Sequence, residues 1–320
     1  MPGIPGNYFT LSAGKQTVKG TPAATTPFKT RATGGFVRPE RNIIELEETD
    51  SSRQARPTVV VGSRSGGAIS HYLRSDEYGL WALAAMGAST PTGAGPYTHL
   101  ATMTDAGPYI TLIEAYQGTA LVNKYVDCRI IKQTIRGAVG GIFTVENTWA
   151  GLSTVMGATD SVAVASAVTP LTWPKVTVTK NAVTTDVISE VELDIDNGGE
   201  YIEGDVGMEP IDYVWGRWLV TGQITVLFEN DQMFRQFHGG SSVATTLTET
   251  IYADALTVTI SRGAGDEVSW IMSGVEYQTY EISPDPSGSP IRVAMAFRAK
   301  AQTSPANTLS VSTKNSTPTY

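Results

Sequence analysis

Gly67-Ala-Ile-Ser-His-Tyr-Leu-Arg-Ser-Asp76 and, 155 residues further on, Gly222-Gln-Ile-Thr-Val-Leu-Phe-Glu-Asn-Asp231 are the two stretches from which the fold is read. Glycine, isoleucine, a small hydroxyl, an apolar pair and an aspartate coincide without a gap, which points to an internal repeat. Each stretch reads as a strand running into a helix. The first helix is expected over Asp76–Met86, with Ser75 or Asp76 as cap, Leu80, Leu83 and Ala84 on one face, and Gly87 as terminator. The second is expected over Asp231–Phe237, with Asn230 or Asp231 as cap, Met233, Phe234 and Phe237 on one stripe, and Gly239-Gly240 as terminator. Asp76 and Asp231 are thus the candidate caps of the two repeats.

Working outward, Ile44-Glu-Leu-Glu47 and Val191-Glu-Leu-Asp194 match at an offset of 147 residues, each shortly before its glycine-bearing strand. Downstream, strand-like runs follow at 109–116, 122–135 and 141–151 in the first half and at 250–261, 267–282 and 290–300 in the second. Two β-rich halves align somewhere by chance, but here the order of elements agrees as well as the residues, so tandem duplication is the favoured reading. The expected organisation is an N-terminal arm (1–41), a first β domain (42–152), a connector or inter-subunit loop (153–185), a second β domain (186–301) and a C-terminal arm (302–320). The first arm holds no helical or strand period for long, and the last stretch has almost no apolar anchor beyond Leu309 and Val311, so it does not order itself alone. Within the connector, Trp173–Thr179 alternates well enough to be a strand.

Of 320 residues, 41% are hydrophobic and only 17% charged, with 32 Gly and 17 Pro, a composition that supports a packed, turn-rich β core. Lys plus Arg total 23 against 31 acids, a formal charge of −8, which argues against a dedicated nucleic-acid binder. The single cysteine, Cys128, excludes an internal disulfide and sits in an apolar run as a small core residue. The opening residues lack the pattern of a secretion signal, and no apolar run is long enough to span a bilayer, so cytoplasmic synthesis and no membrane insertion are expected.

No catalytic constellation emerges. His71, His99 and His238 have no metal-ligand spacing, no nucleophile elbow or phosphate loop is present, and the Gly66-Gly67 and Gly140-Gly141 pairs suit strand starts or turns. No cofactor and no metal site are expected. One acidic pattern stands out in Ile188-Ser-Glu-Val-Glu-Leu-Asp-Ile-Asp196: Glu190, Glu192, Asp194 and Asp196 fall on one strand face, and Val191, Leu193 and Ile195 on the other. Glu45 and Glu47 keep the same phase in the other half, with Glu48 out of phase. A calcium site would need converging ligands, which a flat strand does not supply. A solvated, edge-protecting strand face explains the stripe as well as a functional one does.

The residues Gly14-Lys-Gln-Thr-Val-Lys-Gly-Thr-Pro-Ala-Ala24 resemble the opening of the tail tube proteins, or major tail proteins, of long-tailed bacteriophages. Arg38-Pro-Glu-Arg41 through Thr49-Asp50, the glycine-bearing strand ending at Asp76, Trp215-Gly-Arg-Trp-Leu-Val-Thr-Gly222 and Ser289-Pro-Ile-Arg-Val-Ala-Met-Ala-Phe-Arg-Ala299 are similar to that family in order and spacing. The resemblance covers most of residues 14–300 and is poorest over 153–185. It implies a mainly β, sandwich- or barrel-type domain with a flanking helix, assembled into stacked rings around a channel for genomic DNA, which passes without specific binding. It also implies a virion-tail location after synthesis in the host bacterial cytoplasm. Implied partners are further copies of the chain and other tail proteins such as the tape measure and the tail terminator. Glu45, Glu47, Glu190, Glu192, Asp194 and Asp196 are then candidates for an anionic lumen that repels phosphate. With one tube domain per half, a trimeric pseudo-sixfold ring is favoured over a hexamer. The alternatives are a surface- or carbohydrate-binding β-sandwich, as in a tail fibre or decoration protein, using Trp81, Trp149, Trp173, Trp215, Trp218 and Trp270, or an enzyme whose site is too dispersed to read.

Overall fold

Alternation of apolar and polar residues governs the strands. In Arg292–Ala299, Val293, Met295, Phe297 and Ala299 are buried while the intervening residues face outward, and Ile188–Asp196 behaves the same way. The computed structural model describes residues 9–46, 57–116, 121–159, 165–181, 183–185, 188–204, 207–249, 251–284, 286–300 and 308–320. The chain runs β1 (Phe9–Lys15), β2 (Phe28–Thr30), β3 (Ala32–Gly35), β4 (Arg38–Glu45), β5 (Thr58–Tyr72), α1 (Ser75–Met86), β6 (Gly87–Thr92), β7 (Tyr97–Met103), β8 (Ile110–Tyr116), β9 (Leu121–Ala138), β10 (Thr144–Gly151) and β11 (Ser153–Met156). After a 3₁₀ turn at Trp173–Lys175 come β12 (Val176–Lys180), β13 (Val183–Thr185), β14 (Ile188–Asp196), β15 (Glu200–Ile202), β16 (Asp212–Val214) and β17 (Leu219–Leu227). The chain continues with α2 (Gln232–Gly239), β18 (Ala253–Gly263), β19 (Asp266–Tyr277), β20 (Glu281–Ser283), β21 (Arg292–Ala299) and β22 (Ser310–Asn315). The fold is mainly β and consistent with a β-sandwich, as expected.

Strand pairing is antiparallel and follows one pattern twice. The first half is ordered β4-β5-β10-β9-β8-β1-β2. The second is ordered β14-β17-β21-β19-β18-β12-β13. The two strands that lead into the helices also share their register. Ala32 faces His71 and Gly34 faces Ser70, with a bulge between; Ile188 faces Val226 and Glu190 faces Thr225, again with a bulge between. A Cβ on Gly67 would run into the carbonyl oxygen of Phe36, and one on Gly222 into that of Glu192, so both glycines are required by a close neighbouring strand. By this register Phe36, Val37 and Arg38 correspond to Glu192, Leu193 and Asp194. The upstream match at 147 residues is therefore displaced: Ile44 and Glu45 lie at the far end of the β4–β5 hairpin.

The 18-residue β9 joins everything. Its first part pairs with β8 and β11, its last part with β10 and β14, and Asp127, at φ 56°, sits between the two. The β9·β14 pairing fuses the halves into one sheet.

Three expectations are corrected. Residues 9–41 are not an arm, since Leu11, Ala13 and Val37 are buried and β1 pairs along its whole length with β8. The connector likewise supplies β12 and β13 to the second half. In the C-terminal stretch, β22 inserts between β19 and β7, which buries Leu309 and Val311, and Tyr320 packs over α1 at Gly79. A segment with two apolar anchors orders once its backbone is paired on both sides.

Helix α1 is buried all round except at Asp76, not on one face alone. Its N-cap is Arg74, and Asp76 lies within the first turn, making no capping bond. In α2, Asp231 does occupy the N-cap position, but its carboxylate accepts from Arg235 Nε (2.7 Å) and does not cap.

Candidate functional site

The widest continuous feature is the sheet β4-β5-β10-β9-β14-β17-β21-β20. Its inner face is core: Ile69, Val145, Ile135, Leu193, Ile224 and Met295 are all buried. Its outer face carries short or charged side chains. Glu190, Glu192, Asp194 and Asp196 project there together, as their period of two requires.

That face is not uniformly anionic. Arg136 stands opposite Glu192 and donates to its Oε1 from Nε and Nη2 (2.9 and 2.8 Å), Lys132 Nζ is 3.3 Å from Asp194 Oδ2, and Thr134 donates to Asp194 Oδ1. The hydroxyl of Thr225 donates to Glu190 (3.3 Å), and Asp196 accepts the Gly198 N–H (2.8 Å). The Glu192 carboxylate raises the Arg136 pKa further above its ordinary value. Glu45 is exposed at the tip of the hairpin, away from this stripe, and Glu47 lies outside the described residues. Lys132, Thr134 and Arg136 were not singled out from the sequence, which shows their period-two spacing but not the strand they face.

Among the remaining titratable groups, Lys180, Asp254 and Tyr252 meet: Lys180 Nζ is 2.9 Å from Asp254 Oδ2, and the Tyr252 O–H donates to Asp254 Oδ1 (2.6 Å). His71 is buried, with Nε2 3.1 Å from Asn147 Nδ2, and desolvation lowers its pKa to about 4. His99 Nε2 is 2.7 Å from the Thr317 carbonyl with its ring against Tyr320, and His238 packs against Phe234 and Phe237. Burial pushes the Cys128 thiol pKa up. Glu114, on β8, is buried, accepts the Val37 N–H (2.6 Å) and the Tyr125 O–H (3.1 Å), and is pushed up to about 7 by desolvation. Among the described residues, no group of three His, Cys, Asp or Glu side chains is placed to hold a metal ion. No described helix is long and apolar enough to cross a membrane.

A family model described as phage tail tube protein matches residues 9–299. The chain belongs to the phage tail tube family. No curated protein matches it. A tail tube protein is a structural component of the virion tail, and a mainly β chain suits that role. The six tryptophans expected of a sugar-binding surface all pack with the hydrophobic clusters, with Trp81, Trp149 and Trp270 among the most buried side chains in the protein.

Proposed function

We propose that this tail tube protein is a tandem duplication, that three copies close a ring of six similar β units, and that the rings stack into a hollow tube for delivery of genomic DNA to the host. The observation that carries the reading is the β9·β14 pairing, which makes one unit continue the sheet of the other within a single chain. A contact that relates like units head to tail closes a ring when its rotation divides a full turn. The outer face of the sheet lines the channel, where Glu190, Glu192, Asp194 and Asp196 interleave with Lys132 and Arg136. Such a face lacks the unbroken cationic track that holds a phosphate backbone, so DNA slides. Ile43, Ile44, Val59 and Val61, exposed on the β4–β5 hairpin, suit a seat against the next ring. The chain is made in the bacterial cytoplasm and meets the tape measure and the tail terminator in the assembled tail.

Negative-stain electron microscopy of the purified chain, with light scattering over a range of concentrations, tests the reading. Hollow tubes with threefold class averages are the expected result. Strict sixfold rings of single chains would overturn the trimer, and a monomer at every concentration would overturn self-assembly without an initiator.

A further inference from the structure

The lysine at the end of β12 lies against a carboxyl group that has no access to solvent. Lys180 Nζ is 2.9 Å from Asp254 Oδ2; the Asp254 side chain is fully buried and that of Lys180 is 18% exposed. The two carboxyl oxygens differ in their surroundings. Oδ1 accepts from the Tyr252 O–H (2.6 Å) and from Asn181 Nδ2. Oδ2 makes no hydrogen bond, because Nζ approaches it outside hydrogen-bonding geometry. Nζ donates to Gln236 Oε1 on α2 (3.1 Å) and stands 5.1 and 5.5 Å from the ring centroids of Tyr252 and Tyr277. The Tyr277 hydroxyl, buried at the end of β19, lies beside the same carboxyl group without a hydrogen-bond partner.

The backbone fixes this arrangement. Asn181 has φ 48°, its N–H donates to the Ala255 carbonyl and its Oδ1 accepts the Ala255 N–H (both 2.9 Å), so the turn out of β12 is tied to the bulge that follows Asp254. Two charges removed from water are costly to keep as an ion pair, and all the more so where one oxygen goes without a donor. Cγ, one bond beyond Oδ2, lies within a side-chain adjustment of the roughly 3–3.5 Å from which attack on a carbonyl carbon begins.

We propose that Lys180 and Asp254 join covalently, through an amide between Nζ and Cγ that the folded chain forms by itself with release of one water. A proton passes from the ammonium to Oδ2, leaving an amine and a carboxylic acid. The Nζ lone pair forms the bond to Cγ, and the π pair of the Cγ–Oδ1 double bond moves onto Oδ1, where Tyr252 and Asn181 already donate. Nζ gives a second proton to the Oδ2 hydroxyl, the Cγ–Oδ2 bond breaks, Oδ2 leaves as water and the double bond to Oδ1 re-forms. Nothing is oxidised or reduced. The cavity beneath α2, which Lys180, Asn181 and Tyr252 also line, has room for that water. The amide ties β12 to β18 across strands that are already paired, so the loop from 180 to 254 stays closed even in the unfolded chain. In the first unit, β8 takes the place of β18 in the strand order and carries the buried Glu114, but its partners are a backbone N–H and a phenol, so one such bond per chain is expected.

The test is the intact mass of the full-length chain, purified folded and then denatured, followed by digestion and fragment sequencing by mass spectrometry. The expected result is a chain lighter than its sequence by one water, with a branched peptide that joins residues 180 and 254. A chain at its full sequence mass would overturn the proposal and leave the tube reading standing. Loss of one ammonia, which would put the amide at Gln236, or loss of water without a branched peptide, as in a cyclised aspartate, would overturn it equally. Lys180→Arg keeps the charge but offers no amine, and should restore the full mass in a folded chain; if that variant is still one water light, the site is wrong. Tyr252→Phe leaves Asn181 as the donor to Oδ1, and the share of linked chains soon after cell-free synthesis should fall roughly tenfold or more. An unchanged share would overturn the part given to Tyr252.

Discussion

Helices α1 and α2 follow corresponding strands, yet their surroundings are opposite. α1 is enclosed by the β6–β7 hairpin, β22 and Tyr320, whose ring also meets Phe28 and His99. α2 has none of these covers. Met233 and Phe237 reach the core, Phe234 is 43% exposed, and a cavity of about 380 Å³ remains beneath, lined in part by Met233, Tyr252, Tyr277 and Tyr280. The residues match the surroundings: α1 is apolar on every side, as a central helix must be, whereas α2 has one apolar stripe. Strand order is thus repeated while the layer outside it is not, and the second unit is the one left open at its helix.

The sharpest way to break the correspondence is at its glycines. Gly222→Trp forces an indole against the Glu192 backbone and the Phe297 ring, and we expect no soluble folded chain and no tubes. Gly67→Ala and Gly222→Ala should each cost several kcal/mol, about 3 or more, in urea unfolding. If either is neutral, the register on which the two units are matched is wrong. Next in size is the helix comparison. Trp81→Ala should cost about 3–5 kcal/mol, whereas Phe234→Ala should cost about 1 kcal/mol or less. Equal losses would erase the distinction between an enclosed and an open helix.

A pH effect sharpens the same contrast, because the two carboxyls whose pKa burial raises, Glu77 and Glu114, lie in the first unit. Burial, helped at Glu77 by the Asp76 carboxylate, pushes Glu77 and Glu114 from an ordinary 4.5 up to about 7. The folded state therefore holds protons that the unfolded chain has released, so stability falls as pH rises from 4.5 to 7 and the penalty is complete above that. His71, lowered from 6.5 to about 4, acts in the opposite sense, and its contribution is lost as pH falls through that window. The midpoint of thermal unfolding should be higher at pH 6 than at pH 8. Glu114→Gln, which keeps the acceptor for Val37, should reduce that difference by roughly half, since one of the two raised carboxyls is removed. The smallest effect expected is for Asp231→Ala. It removes an exposed pair with Arg235 and should change stability by no more than about 0.5 kcal/mol by the same unfolding assay.

Much of this was legible in the sequence where local pattern decides local structure. The strands at 109–116, 122–135 and 290–300, the alternation in β14 and both helix positions follow from periodicity and terminators, whereas the run at 267–282 is split into β19 and β20. Long-range pairing was not legible. The stretch 310–315 is polar in composition and still forms a strand, because β19 and β7 satisfy its backbone from either side. Glu45 matched Glu192 by residue type, but the bulge after Ala32 and the carbonyl over Gly67 place Phe36 at that position. The acidic stripe was visible; the cations opposite it belong to a strand some 60 positions earlier, and only register brings them together.

Strand β22 has a consequence for the order of events in synthesis. A ribosome that has finished β11 has produced every strand of the first unit's own pattern, but the Asn315 side chain that donates to the Ser75 carbonyl at the start of α1 is still more than 150 residues away. Until those residues emerge, α1 has one wall missing and the first unit stays incompletely packed. The first unit therefore completes its packing only once the last strand of the chain has been made.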